Sequence, residues 1–248
     1  MVSIVAVAGF IILPGYPQLV PHRIGKTDKA ANGMTGDDVT IELLGDSTEA
    51  VPGEYKFTKN LTVTAAKAVT VTFNTDDGTQ LIPCDGKTLT IAENVTFENL
   101  FSIGADETTG TAIINGTVSA QYFRAYGPKP VDNMGTATLI VNGTVKPCNG
   151  ESCFRLCESF ALVVNGKLAE GAAASADASI SGLDLNVRTV EGKSATITLN
   201  NVSVNFLRGN NDTGTGKIDY DLNNSKVVFD GADDPGLNLK GTFDADCT

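Results

Sequence analysis

The hexapeptide IINGTV at residues 113–118 returns along the chain and decides how the sequence folds. Its later copies are IVNGTV at 140–145, VVNGKL at 163–168, and the looser TLNNVSV at 198–204 and YDLNNSKV at 220–227. The central asparagines of the five phrases are Asn115, Asn142, Asn165, Asn200 and Asn223. One more unit, counted back from the first of them, reaches Glu93 within TIAENVTF at 90–97. A unit of about 22–27 residues with one insertion, between 165 and 200, is typical of the coils of a solenoid.

Short alternating segments surround these phrases and predict strands. Examples are LTVT at 61–64, VTVTF at 69–73 and TLTI at 88–91, each with apolar residues at every second position. That period of two is the signature of a half-buried β-strand. We expect the apolar residues before each Asn-Gly pair, and the Val or Leu after it, to face inward. We also expect Asn and Gly to supply the left-handed backbone of a sharp corner.

These patterns predict an all-β fold, a β-solenoid or parallel β-helix with short coils of about 22–27 residues. The alternative is an antiparallel β-sandwich in which each Asn-Gly pair forms a two-residue hairpin turn. The longer repeat favours the solenoid, which we assign to residues 37–248.

The composition limits the classes of partner. The chain has 248 residues, with 18 Lys and Arg against 29 Asp and Glu, and a formal net charge of -11. An acidic surface repels phosphate backbones and anionic lipid headgroups, so we expect no nucleic acid partner. With 26 Gly and no Trp, the composition suits short strands joined by tight turns in a secreted or surface protein.

The N-terminal segment MVSIVAVAGFIIL, from Met1 to Leu13, is uncharged and almost wholly apolar. It is too short for a transmembrane helix, which needs about 20 residues, and no Lys or Arg precedes it. We predict an apolar strand followed by a Pro-rich arm, together spanning 1–36. The strand pairs either within its own domain or with a neighbouring subunit, where it acts as an assembly strand. Its candidate residues are Val2, Ile4, Val5, Val7, Phe10, Ile11 and Ile12.

The chain has an odd number of cysteines: Cys84, Cys148, Cys153, Cys157 and Cys247. In an oxidising compartment two of the three at 148–157 can pair locally, and one of the five is left to bridge to another subunit. The alternative is a set of small buried thiols in a reduced protein. The single histidine, His22, lies far from them, so the sequence predicts no zinc site and no other cofactor.

Seven Asn-x-Ser/Thr triplets are candidate glycosylation sites: Asn60, Asn94, Asn115, Asn142, Asn201, Asn211 and Asn223. A chain rich in Asn and Thr also produces such triplets by chance. Their modification is therefore an expectation only for a protein that passes through a glycosylation machinery.

The sequence lacks the common catalytic motifs, and we therefore predict that the chain is not an enzyme. It contains no Gly-x-Ser-x-Gly, Walker A or Gly-x-Gly-x-x-Gly motif. Adjacent carboxylates occur at 37–38, 76–77 and 233–234, all beside Gly or Pro in sequence typical of solvated turns. A polysaccharide-active enzyme on a β-helix would need two carboxylates facing each other across a groove.

The repeated Ile/Val-x-Asn-Gly-Thr-Val phrases, from Thr90 to Val227, resemble the β-helical stalks of bacterial and archaeal surface proteins and adhesins. The resemblance implies an extracellular, rigid protein that assembles or adheres. We therefore expect a structural subunit of an extracellular assembly (filament, cell sheath or surface layer) that binds copies of itself through its N-terminal strand and through disulfides. The alternative is a carbohydrate-binding adhesin or polysaccharide-active β-helix enzyme, with surface glycans as partners.

Overall fold

The computed structural model confirms the predicted fold class: the chain is an all-β solenoid built from stacked parallel sheets. The structure describes residues 2–7, 10–12, 20–21, 31–33, 36–49, 53–73, 78–129, 135–147, 153–166, 184–208, 216–230, 238–240 and 243–247. The antiparallel sandwich is excluded, since neighbouring strands of consecutive coils run parallel.

Sheet A contains twelve of the described strands. Their bounds are β1 (Val2–Val7), β2 (Phe10–Ile12), β3 (Val20–Pro21), β4 (Asp38–Leu43), β7 (Asn60–Ala65), β10 (Thr88–Ile91), β12 (Thr111–Ile114), β14 (Ala137–Val141), β17 (Phe160–Asn165), β19 (Ala195–Asn200), β21 (Ile218–Asn223) and β23 (Asn238–Lys240). From β1 to β23 each strand pairs in parallel with the strand of the next coil. At the N-terminal end β2 and β3 are added antiparallel.

Sheet B contains the other twelve described strands. Their bounds are β5 (Ser47–Glu49), β6 (Glu54–Phe57), β8 (Val69–Phe73), β9 (Gln80–Pro83), β11 (Val95–Asp106), β13 (Thr117–Tyr126), β15 (Thr144–Pro147), β16 (Cys153–Cys157), β18 (Asp184–Arg188), β20 (Ser203–Arg208), β22 (Ser225–Asp230) and β24 (Phe243–Cys247).

Sheet B bends, which gives the coil three sides. The first half of β11 pairs with β8 and its second half pairs with β9. The long strand β13 likewise pairs first with β15 and then with β16. Between β11 and β13 the register shifts from Phe97 to Leu100, where a bulge turns the chain from one side to the next. We call the side formed by β6, β9, β16, β18 and the second halves of β11, β13 and β20 the third face.

The register confirms the spacing of the repeated phrases. Asn165 lies opposite Asn200, and Asn200 lies opposite Asn223. The count back from Asn115 to Glu93 is wrong by one position, because Ile114 pairs with Ile91 and places Ala92 opposite that asparagine. The turn after β10 sets this step, and a count along the sequence cannot resolve a single position.

The hydrophobic core lies inside the coils. Inward-facing residues at the same register position on successive strands form columns of buried side chains. Ile114, Val141 and Val164, the residues directly before three Asn-Gly pairs, are fully buried. Phenylalanines pack between rungs within the core: the rings of Phe123 and Phe154 are stacked with centroids 5.1 Å apart. Removing these apolar surfaces from water is the main force that holds the coils together.

The corner after each sheet A strand forms in two ways. Asn201 and Asn224 adopt the predicted left-handed backbone, with φ of 56° and 49°. The same prediction is wrong for Gly116, Gly143 and Gly166, whose φ angles lie outside that region. These glycines are required because the backbones of successive coils touch: a Cβ on Gly143 would lie 2.0 Å from the carbonyl oxygen of Gly116.

The N-terminal strand β1 lies within the sheet of its own chain. It pairs in parallel with β4 on one side and antiparallel with β2 on the other. Val5 and Ala6 are therefore paired on both sides inside the chain, whereas Val2 to Ile4 pair only with β4 among the described strands. Contact of this strand with a neighbouring subunit stays a prediction. Within the described residues, no helix is long and apolar enough to cross a membrane.

Candidate functional site

The outward side of sheet A carries an uncharged surface across six consecutive rungs. Along β7, β10, β12, β14, β17 and β19 the outward side chains are short and neutral, and each is partly exposed. This neutral face consists of Asn60, Thr62, Thr88, Thr90, Thr111, Ile113, Thr138, Ile140, Ala161, Val163, Thr196 and Thr198. It corrects the expectation that all apolar residues before Asn-Gly face inward. Strand alternation sends Ile113, Ile140 and Val163 outward because the residue after each of them faces the core.

A ladder of asparagines forms one border of the neutral face. Each side-chain amide donates to the side-chain carbonyl of the preceding coil, from Asn142 to Asn115 (2.7 Å), Asn165 to Asn142 (2.7 Å), Asn200 to Asn165 (2.7 Å) and Asn223 to Asn200 (2.9 Å). Charge returns at both ends of the neutral face, with Asp219 and Asp221 on β21 and Asp38 on β4. The face is thus a defined neutral area on an acidic rod.

The third face gathers most of the arginines of the chain. Arg124, Arg155 and Arg208 belong to one column of the backbone register, in which Asn186 takes the place between the last two. Arg188 lies two residues further along the rung of Asn186. We call these four arginines the arginine strip.

Arg124 is held firmly within the strip. Its Nη1 pairs with the carboxylate of Asp106 and donates to the side-chain oxygen of Gln80 at 3.2 Å. The hydroxyl of Ser102 donates to the same Gln80 oxygen at 3.1 Å. The Nε of Arg124 is buried and has no hydrogen-bond partner among the described residues. This arginine is therefore fixed in place by polar contacts on one end of its guanidinium group.

Two aromatic rings lie beside Arg124. Phe101 and Tyr122 meet edge to face with centroids 5.2 Å apart, and the guanidinium carbon of Arg124 lies 5.7 Å and 5.6 Å from them. Arg155, one rung further, stacks over the Tyr122 ring at 3.9 Å. The Tyr122 hydroxyl accepts a hydrogen bond from the Gln121 amide at 3.2 Å. Stacking between a guanidinium group and an aromatic ring fixes both side chains.

Next to this cluster a second arginine is neutralised in a partly buried pair. Arg188 donates from Nη2 to Glu158 at 3.2 Å and lies 3.5 Å from the Tyr126 hydroxyl. Glu158 is buried and has a left-handed backbone, with φ of 62°. Burial raises the pKa of Tyr126, and the neighbouring Cys157 raises it further. This group stabilises the third face.

The structure places three of the disulfide candidates on the third face or at its edge. Cys84 and Cys157 are free thiols, and burial raises the pKa of both. Cys153 and Cys157 are the two ends of the five-residue strand β16, and a step of four residues along a strand places their Cα atoms about 13 Å apart. A disulfide needs Cα atoms within about 7 Å, so these two do not pair. Cys247 ends β24, and Cys148 lies outside the described residues.

The candidate glycosylation sites have different surroundings. Asn115, Asn142 and Asn223 belong to the asparagine ladder. The side chain of Asn60 donates to Asp38 and accepts from the Thr88 amide. Asn201 accepts from Asn224. Asn94 is exposed in a turn and donates to the Ala65 carbonyl at 3.3 Å. Asn211 lies outside the described residues, and modification of these asparagines stays a prediction.

The paired carboxylates are described at one of three places. Asp37 and Asp38 are both exposed at the start of β4, where Asp37 pairs with Lys87 at 3.6 Å. The pairs at 76–77 and 233–234, and His22, lie outside the described residues. In the described part of the chain, no three His, Cys, Asp or Glu side chains are grouped so as to hold a metal ion.

Sequence reasoning missed both surfaces, although signals for them exist. Two adjacent apolar residues at 113–114, 140–141 and 163–164 require one outward residue each, because side chains alternate along a strand. The signal for the arginine strip is the spacing in sequence between Arg124 and Arg155, because this spacing is the length of one coil measured on the third face. That spacing is longer than the step from Asn115 to Asn142 on sheet A in the same coil, since loop lengths differ between the sides.

Comparison of the chain with protein-family models, with characterised proteins and with solved structures finds no match. The neutral face and the arginine strip are therefore the two surfaces of the molecule that bear on its function.

Proposed function

We propose that this chain is a structural subunit of an extracellular assembly, such as a filament, a cell sheath or a surface layer, and that it binds copies of itself through the neutral face. The observation that carries the proposal is the absence of charge from the outward residues of six rungs of sheet A, in a chain whose net charge is -11. Acidic copies repel one another wherever carboxylates meet. The neutral face is an area where two copies approach without that cost.

The shape of the face supports packing of one sheet on another. Its side chains stand on parallel rungs, which repeat about every 4.8 Å. Sheets pack face to face at about 10 Å with their inner side chains interdigitated. The branched side chains of Ile113, Ile140 and Val163 form a central ridge, with the asparagine ladder on one side and mainly threonines on the other. Two such faces bury the ridge without burying a charge.

The size of the face indicates a weak contact between any two copies. Stable interfaces bury about 800 Å² on each partner. The twelve short, half-buried side chains of the neutral face offer a smaller area than this. We therefore expect association that depends on protein concentration and becomes stable only when many subunits repeat the contact. This behaviour suits a subunit of an extended assembly, and the threonine and aliphatic groups of the face supply no acid or base for catalysis.

The extracellular location is part of the proposal. It is supported by the acidic, Thr-, Asn- and Gly-rich composition and by the resemblance of the repeated phrases to surface stalks. A rod whose coils are joined by continuous parallel sheets and by the asparagine ladder suits a load-bearing role outside the cell.

The experiment is sedimentation velocity over a series of protein concentrations, with electron microscopy of the same samples. We expect the wild-type protein to associate as concentration rises, and Ile140→Lys to remain monomeric because two copies would bury two ammonium groups. The matched control is Thr96→Lys, which adds the same charge at an outward position of sheet B. Monomeric wild-type protein at every concentration, or equal association of both variants, would overturn the proposal.

A further inference from the structure

The arginines of this acidic protein are concentrated on one side. The sequence contains five arginines, and four of them lie on the third face in the register of β13, β16, β18 and β20. Arg124 and Arg188 are neutralised by Asp106 and Glu158. These two pairs build the surface, and Arg155 lies between them.

Arg155 differs from these two in being exposed and without an ion-pair partner among the side chains that the structure describes. Its guanidinium carbon lies over the Tyr122 ring, 3.9 Å from the ring centroid, and the residue is exposed to solvent, where a ligand can reach its N–H donors. Tyr122 is itself fixed by Phe101 and Gln121. The contact with the ring therefore restricts the guanidinium group before any ligand arrives, which lowers the entropy lost on binding.

We infer that Arg155 and Tyr122 form a binding site for the anionic groups of an acidic polysaccharide. A guanidinium fork binds a carboxylate or a sulfate group through two parallel hydrogen bonds. The Tyr122 ring carries Arg155 itself, and the partly exposed ring of Phe101 offers an apolar surface beside that fork, on which the C–H face of a sugar ring packs. Arg124 acts as a positioning residue, since it contacts both rings.

The charge of the whole protein selects among polyanions. Duplex nucleic acid carries one charge about every 1.7 Å, and a protein with a net charge of -11 repels such a density. A polyuronate carries one carboxylate per sugar ring, fewer charges per length than duplex DNA, and has apolar sugar faces between them. Arg155 has no ion-pair partner among the described side chains, so its charge is available for a carboxylate or sulfate group of the polysaccharide. The aromatic rings beside it suit the apolar sugar faces.

The backbone register extends the site along the axis of the solenoid. Arg124, Arg155, Asn186 and Arg208 occupy one column on successive rungs, about 4.8 Å apart. A polymer that runs parallel to the axis passes Arg124 and Arg155 on successive rungs, and then the backbone positions of Asn186 and Arg208. The geometry therefore favours an extended chain over a single sugar.

The experiment is isothermal titration calorimetry of the full chain with polygalacturonate oligomers, dextran sulfate, neutral dextran and duplex DNA. We expect binding to polygalacturonate or to dextran sulfate and none to neutral dextran. The stronger of the two ligands shows whether the site prefers a carboxylate or a sulfate group.

Arg155→Gln is expected to weaken binding by about tenfold to a hundredfold. Arg155→Lys keeps the charge and loses the planar fork, so it should recover only part of the affinity. Tyr122→Leu should weaken binding even though the charge is unchanged.

The matched control is Lys146→Gln, which removes an exposed cation from the first part of sheet B. It should bind like the wild type, and Arg155→Gln should keep the wild-type circular dichroism spectrum. The inference is overturned if no acidic polysaccharide binds, if DNA binds more tightly, or if Arg155→Gln and Lys146→Gln lose affinity equally. Because the strip and the neutral face lie on different sides, Arg155→Gln should leave association unchanged. Failure of one proposal is therefore seen separately from failure of the other.

Discussion

The side-chain amide of Asn142 donates a hydrogen bond of 2.7 Å to the side-chain oxygen of Asn115, one coil earlier. Asn165 donates in the same way to Asn142. A side-chain amide has a donor and an acceptor at opposite sides, so identical residues satisfy one another in an unbroken stack. The repeated Asn-Gly phrase thus has a physical reason: the asparagine links the coils, and the glycine lets them approach.

Replacing Asn142 by alanine tests the contribution of this ladder. The change removes the donor to Asn115 and the acceptor for Asn165, so we expect the free energy of unfolding to fall by about 1–3 kcal/mol. Urea unfolding followed by circular dichroism measures it, with protein made in a host that lacks N-glycosylation. Thr144→Ala removes an exposed side chain from the same corner and should change stability by less than about 0.5 kcal/mol. Equal stability of the two variants would contradict the ladder.

Replacing glycine by alanine is expected to have opposite effects on stability at Gly143, in the same phrase, and at Gly45. A Cβ on Gly143 would lie 2.0 Å from the Gly116 carbonyl oxygen and 2.4 Å from that of Asn115, so the backbone must move. We expect Gly143→Ala to destabilise the protein by about 1–3 kcal/mol. Gly45 has open space around its Cβ position and no left-handed backbone.

Gly45→Ala should therefore stabilise the protein by about 0.4–1 kcal/mol, because alanine reduces the freedom of the unfolded chain. Thermal unfolding of both variants under the same conditions compares the signs directly. If both variants melt below the wild type by the same amount, steric contact between the coils is not what requires glycine at 143.

Sequence reasoning predicted the fold from one regularity and failed where that regularity ends. Every coil must return to the same column of sheet A, so the asparagines at 142, 165, 200 and 223 reappear on successive rungs of the sheet. The long step from Asn165 to Asn200 is a longer coil that returns to the same column. Register in sheet A was therefore readable from the sequence.

The third face was not readable in the same way. Tyr122, Arg124 and Arg155 come together because β13 pairs with β16 after a bend in sheet B. The bulge between Phe97 and Leu100 and the loops of unequal length change the spacing on this side of the coil. Only the three-dimensional register shows which arginines share a column.

Two adjacent isoleucines test which residues face the core. Ile114 is fully buried, whereas Ile113 is partly exposed on the neutral face. Ile114→Ala should lower the free energy of unfolding by about 2–5 kcal/mol, because it leaves a cavity among packed side chains. Ile113→Ala should lower it by about 0.5 kcal/mol or less. Chemical unfolding of both single variants at low protein concentration measures the difference, and a larger loss for Ile113→Ala would show that the strand faces the other way.

The thiol of Cys157 predicts how stability depends on pH. Burial raises the pKa of this thiol above its ordinary value, although the nearby Arg188 acts in the opposite direction. In the unfolded chain the thiol ionises at its ordinary pKa of about 8.5, before the folded protein does. The contribution of Cys157 is therefore fully present below that pH and is lost as pH rises toward the pKa of the folded state.

We expect the free energy of unfolding of the wild type, measured with urea in the presence of a reductant, to decline as pH rises from neutral through the ordinary pKa of the thiol. Cys157→Ser should decline less steeply, since serine does not ionise in this range. Cys84→Ser is the matched control, because the Cys84 thiol is less deeply buried and should account for a smaller part of the decline. Parallel curves for the wild type and Cys157→Ser would show that the thiol is as easily ionised in the folded protein as in the unfolded chain.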